Sequence, residues 1–113
     1  MDYDIFNGDA DGIIALLQLR LASPQQNELV TGVKRDIQLV AQVNANSGDK
    51  LTVLDISLEK NIEGVKEALA NGAEVFYADH HRAGEIPTHE NLHANIDLDA
   101  NICTALIVDK LLD

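Results

Sequence analysis

Short apolar runs alternate with longer helical stretches from one end of the chain to the other. Residues 3–7 read as a strand, and Gly8-Asp9-Ala10-Asp11-Gly12 as a turn. Residues 13–22 are apolar on nearly all sides, which predicts a helix buried against a sheet, and Ser23-Pro24 ends it. A second strand is predicted over 28–33, a short helical stretch over 37–43 and a third strand over 51–56. Residues 61–71 are amphipathic, with Ile62, Val65 and Leu69 on one face, and Asn71-Gly72 stops that helix. A fourth strand follows over 73–78, a loop over 84–89, a fifth strand over 92–96 and a final helix over 101–112. Strands and helices alternating at this spacing predict an α/β fold. The sheet should be doubly wound, mostly parallel and five-stranded, with right-handed crossovers and helices on both faces.

The pattern shows no repeat, linker or low-complexity tract, so the 113 residues read as one domain around a single core. A hydrophobic fraction of 46% is that of an ordinary folded chain. Nineteen acidic residues against eight basic ones give a formal charge of −11, which argues against an extended nucleic-acid duplex as partner. A small phosphorylated molecule held through metal ions stays compatible with that charge. Cys103 is the only cysteine, so no intrachain disulfide forms, and it reads as a small buried hydrophobe. With neither a signal-peptide pattern nor a run long enough to span a membrane, a cytoplasmic location is expected.

Chemistry enters through where the acids fall. Asp9 and Asp11 follow the first predicted strand, Asp55 ends the third, and Asp79-His80-His81 follows the fourth. In a parallel sheet all three groups emerge at the carboxyl edge, where open α/β folds bind their ligands. Carboxylates gathered there repel one another unless cations hold them, which suggests a divalent-metal site. Each group alone has a plainer reading. Asp11 can cap the following helix, with Gly8 and Gly12 allowing backbone conformations closed to other residues. Asp55 can cap the downstream loop through the backbone of Ser57, and His80-His81 can be a surface pair. Together they suggest that Asp55 bridges two ions about 3.5–4 Å apart, and that Asp79 orients a liganding imidazole.

The residues are also recognisable as a set. Phe6-Asn7-Gly8-Asp9-Ala10-Asp11-Gly12, Leu54-Asp55-Ile56-Ser57 and Ala78-Asp79-His80-His81-Arg82-Ala83-Gly84 resemble the first three motifs of the DHH phosphoesterase superfamily, in the family's order. The resemblance implies a two-metal centre, usually manganese and otherwise magnesium, that hydrolyses phosphodiester or phosphoanhydride bonds of nucleotides or short oligonucleotides. By that resemblance Asp9, Asp11, Asp55 and His80 are metal ligands, Asp79 supports the liganding histidine and His81 contacts phosphate. Where many members carry a histidine four residues before the first aspartate, this chain has Ile5, as in the RecJ-like exonuclease branch. The family's fourth motif and its C-terminal substrate-binding domain would lie past Asp113. The chain is therefore expected to be an N-terminal DHH domain with an incomplete site, weakly active or inactive in isolation and binding manganese weakly. Substrate identity would lie in the C-terminal part, and the oligomeric state is open.

Lys34 and Arg35 follow the second predicted strand and Arg82 follows His81, so all three are candidate contacts for a substrate phosphate. Salt bridges to Asp36 and Glu85 are their alternative. Three rival functions remain at this point. One is a non-catalytic module that binds metal or a nucleotide. Another is a phospho-receiver domain with Asp55 as acceptor, although receivers place a hydroxyl residue where this chain has Asp79-His80. The third is a zinc protease, since His89-Glu90-Asn91-Leu92-His93 fits the HExxH pattern, but that chemistry needs both histidines on one helical face.

Overall fold

The computed structural model describes residues 2–8, 10–22, 24, 27–32, 39–40, 43–81, 84–96 and 104–112. Along the chain these form β1 (Tyr3–Asn7), α1 (Ala10–Ala22), β2 (Glu28–Gly32), β3 (Lys50–Leu54), α2 (Leu58–Ala70), β4 (Glu74–Asp79), β5 (Leu92–Ile96) and α3 (Thr104–Leu112). The five strands make one sheet in the order β2-β1-β3-β4-β5. Every pairing is parallel, so the expected doubly wound α/β fold is present with no antiparallel member. Most of the predicted helical stretch over 37–43 lies outside the described residues, as do Cys103 and the start of the last predicted helix.

Alternation along the strands sorts side chains into two cores. Ile5, Val53 and Tyr77 face one way and pack with Leu58, Val65, Ala68 and Leu69 of α2. Their neighbours Phe6, Leu54 and Ala78 face the other way and meet Ala15 of α1 and Ile107 and Val108 of α3. Each fully buried aliphatic side chain contributes about 1.5–3 kcal/mol relative to exposure. Helix α2 begins three residues before the predicted stretch because Ser57 caps it, its hydroxyl accepting from the Lys60 N–H at 3.3 Å. The buried face of α2 is accordingly centred on Leu58, Asn61, Val65 and Leu69, with Ile62 at its margin.

Two expectations need correction. Helix α1 is not enclosed: Ile13, Ile14 and Leu17 are about half exposed and Leu21 is 74% exposed. It lies in an outer layer, touching the sheet and α3 along one stripe that includes Ala15, Leu16 and Leu19. Nor is β1 purely apolar inside. Asp4 is buried and accepts from Arg20 at 2.9 and 3.0 Å and from Asn27 at 2.9 Å, a structural ion pair away from the carboxyl edge. The segment with the HExxH spacing runs from a turn into β5, with His89 before the strand and His93 within it, so its two histidines share no helical face.

Candidate metal centre

The strand order reverses direction of travel between β1 and β3, which makes the carboxyl ends of those two strands the switch point of the sheet. Asp11 and Asp55 sit on its two sides. Asp11 lies inside the first turn of α1, not at the cap position. That turn approaches β1 so closely that a Cβ on Gly12 would fall 2.1 Å from the Asn7 carbonyl oxygen. Among the described glycines neither Gly8 nor Gly12 has positive φ, so what Gly12 supplies is room. The close approach brings the Asp11 carboxylate over the strand end.

Asp55 is held differently. Its φ is +61°, in the left-handed region that aspartate tolerates better than most side chains. Backbone partners impose this turn: the Asp55 N–H donates to the Ala78 carbonyl at 3.0 Å. One residue on, the fully buried Tyr77 hydroxyl donates to the Ile56 carbonyl at 2.6 Å. Burial, and secondarily the charge of Asp79, pushes the Tyr77 phenol well above its ordinary value, so it stays a donor. Asp55 is itself buried, so its carboxylate can only face inward.

His80 completes the group from the end of β4. Its Nε2 lies 3.2 Å from Asp55 Oδ1 and 3.6 Å from Asp11 Oδ2. Asp79 supports the neighbouring histidine, not this one: Asp79 Oδ1 meets His81 Nδ1 at 2.6 Å. The chain leaves β4 at Asp79 and bends at His81, so Asp79 meets His81 while His80 faces the other carboxylates. The two imidazoles lie with centroids 4.3 Å apart, tilted by 34°. Burial raises the Asp79 carboxyl above its ordinary range, while the His81 imidazole and the backbone N–H groups of His80 and His81 pull it down. Its Oδ2 is buried without a hydrogen bond.

The donor set fits a divalent cation. Asp55, Asp79, His80 and His81 each present one ligand atom within 4.8 Å of one another, and the unpartnered Asp79 oxygen gives this buried group a reason to attract positive charge. Carboxylates with imidazole suit manganese or magnesium better than soft metals. Asp9, Lys34, Arg35 and Arg82 lie outside the described residues. Sequence reasoning missed Thr104, whose N–H donates to Asp11 Oδ2 at 3.1 Å and whose hydroxyl donates to Asp55 Oδ1 at 3.0 Å. The one signal for it was a hydroxyl residue near the head of the last predicted helix.

The model of the DHH family, N-terminal domain, matches residues 3–113. No curated protein matches the chain significantly. Among solved structures, exonuclease RecJ bound to manganese is similar over 98% of this chain and 31% of its own, at 17% identity and a TM-score of 0.59. RecJ from Thermus thermophilus, in complex with Mn2+, is similar over 98% of this chain and 17% of its own, at 20% identity and a TM-score of 0.60. The chain thus spans less than a third of either structure it resembles. Sheet order alone would also suit a receiver domain, but Asp79, at the end of β4, is paired with His81 where a receiver needs its hydroxyl residue.

Proposed function

The chain belongs to the DHH family, and on that premise we propose that it is the metal-binding part of a divalent-metal-dependent phosphoesterase. The bonds cleaved are phosphodiesters or phosphoanhydrides of nucleotides or short oligonucleotides. The observation that carries this reading is the convergence of Asp11, Asp55 and His80 at the switch point, with Nε2–carboxylate distances of 3.2 and 3.6 Å, beside a buried Asp79–His81 pair.

In this proposal Asp9, Asp11, Asp55 and His80 hold two manganese or magnesium ions. When bound, such ions neutralise phosphoryl charge and bring the pKa of a water toward neutrality. The side chains of the chain do the rest. Asp79 fixes the His81 ring through Nδ1, which leaves Nε2 to donate to a phosphate oxygen or to the departing group. The ring is half exposed, so a substrate can reach it. Lys34, Arg35 and Arg82 take the phosphate on the face away from the ions. The likeness to a manganese-bound exonuclease supports manganese and an oligonucleotide substrate. The charge of −11 favours short substrates over duplexes. Among the described residues no helix is long and apolar enough to cross a membrane.

The test is manganese-dependent release of mononucleotides from a short end-labelled oligonucleotide by the full-length protein. Asp55→Asn should fold, lose manganese uptake and lower turnover by about a hundredfold or more. Metal-independent turnover, or full activity in Asp55→Asn, would refute the proposal.

A further inference from the structure

We propose that Thr104 is a positioning residue of the metal centre, holding the Asp55 and Asp11 carboxylates in ligating register before any ion arrives. The proposal rests on the metal-centre reading above and adds to it a residue from outside the recognised motifs.

Thr104 is fully buried and is the first residue of α3. It bonds to two carboxylates that arrive from different turns at the sheet edge. Asp11 comes from the β1–α1 turn and Asp55 from the β3–α2 turn, on opposite sides of the switch point. Nothing in the strand ladder sets the angle between their side chains, and their like charges push them apart. The Thr104 hydroxyl donates to Asp55 Oδ1 at 3.0 Å, and its backbone N–H donates to Asp11 Oδ2 at 3.1 Å. That N–H is available because the first amides of a helix have no intrahelical acceptor. Both bonds run from a neutral donor to a charged acceptor, the stronger kind. The two contacted oxygens are the same ones that lie 3.2 and 3.6 Å from His80 Nε2, so Thr104 bears directly on the spacing of the acid–imidazole group.

The β-branched side chain adds stiffness, since branching at Cβ restricts χ1 of threonine. A carboxylate has about four lone-pair sites, so accepting from Thr104 leaves capacity for a cation. Bonds of this type to ligating groups govern metal affinity by about 10–100-fold.

The test is a manganese titration of the full chain, followed through the spin-resonance signal of free ion, with metal-free unfolding measured in parallel. Thr104→Val keeps the shape, the branching and the N–H, and removes only the hydroxyl donor. It should weaken manganese binding by about tenfold or more, whereas Thr104→Ser, which keeps the donor, should stay close to wild type. A merely structural threonine would lower stability in both variants and leave the affinity of the folded protein unchanged. Should Thr104→Val fail to fold, Thr104→Ala against Thr104→Ser isolates the same hydroxyl. Wild-type affinity in the hydroxyl-free variant, or equal losses in both, overturns the assignment while leaving the metal centre intact. A wild-type chain that takes up no manganese overturns the metal-centre reading and this assignment with it.

Discussion

Replacing Gly12 with alanine sets two known effects against each other at the point where α1 meets the end of β1. Alanine favours an interior helical position over glycine by about 0.8–1 kcal/mol. The added Cβ, however, falls 2.1 Å from the Asn7 carbonyl oxygen, 3.0 Å from its carbonyl carbon and 3.2 Å from the Asn7 nitrogen. Carbon–oxygen contacts settle near about 3.3–3.6 Å, so the overlap exceeds roughly 1 Å. Every atom met is backbone, and no rotamer change can relieve it. Overpacking typically costs about 1–3 kcal/mol, and a rigid partner places this site at the upper end. The clash therefore outweighs the propensity gain, for a net loss of about 1–2 kcal/mol. In a chain of this length that lowers Tm by about 4–8 °C, measurable by metal-free thermal melts. Because Asp11 precedes Gly12, manganese affinity should fall as well. Gly48 is the control, with φ +88° and no neighbouring atom within 4 Å. Gly48→Ala should cost about 1–2 kcal/mol through backbone strain alone, without touching manganese binding. A Gly12→Ala variant as stable as wild type, or more so, would show that α1 does not depend on that close approach.

Other consequences can be measured on the same chain. Tyr77→Phe removes the donor to the buried Ile56 carbonyl and should cost about 1–3 kcal/mol in urea unfolding; a neutral effect would mean that the Asp55 turn does not need the clamp. The raised Asp79 carboxyl predicts a pH dependence of known sign. A carboxyl raised by folding binds its proton more tightly in the folded chain. Its contribution is full below the unfolded range and lost as pH rises through the folded value. In metal-free buffer, the stability of Asp79→Asn relative to wild type should therefore rise as pH climbs above the ordinary aspartate range of about 4. A difference that is flat or falls with pH would contradict burial as the dominant cause.

The order of strands and helices was legible in the chain because a period of two and a period near 3.6 leave different apolar patterns. Residues 3–7 and 92–96 were bounded correctly on that basis alone. The carboxyl edge was legible too, since parallel strands must all end on one side and the acids follow the strands. Local pattern could not say how far a helix is covered. The apolar residues of α1 predict burial on all sides, yet Leu21 stands out in solvent, because enclosure depends on which other layers are present. Nor could it assign partners within the site. Asp79 adjoins His80 in sequence but bonds to His81, which sits at the bend just past the end of β4. Asp55 takes a left-handed turn only because Ala78 and Tyr77, both on another strand, fix its surroundings. Thr104 reaches Asp11 across 93 residues and Asp55 across 49. Residue type and periodicity thus determined which groups gather at the edge. Their angles, partners and spacing were decided by packing between distant segments, because a carboxylate's direction is set by what crowds and donates to it, and those neighbours come from elsewhere in the chain.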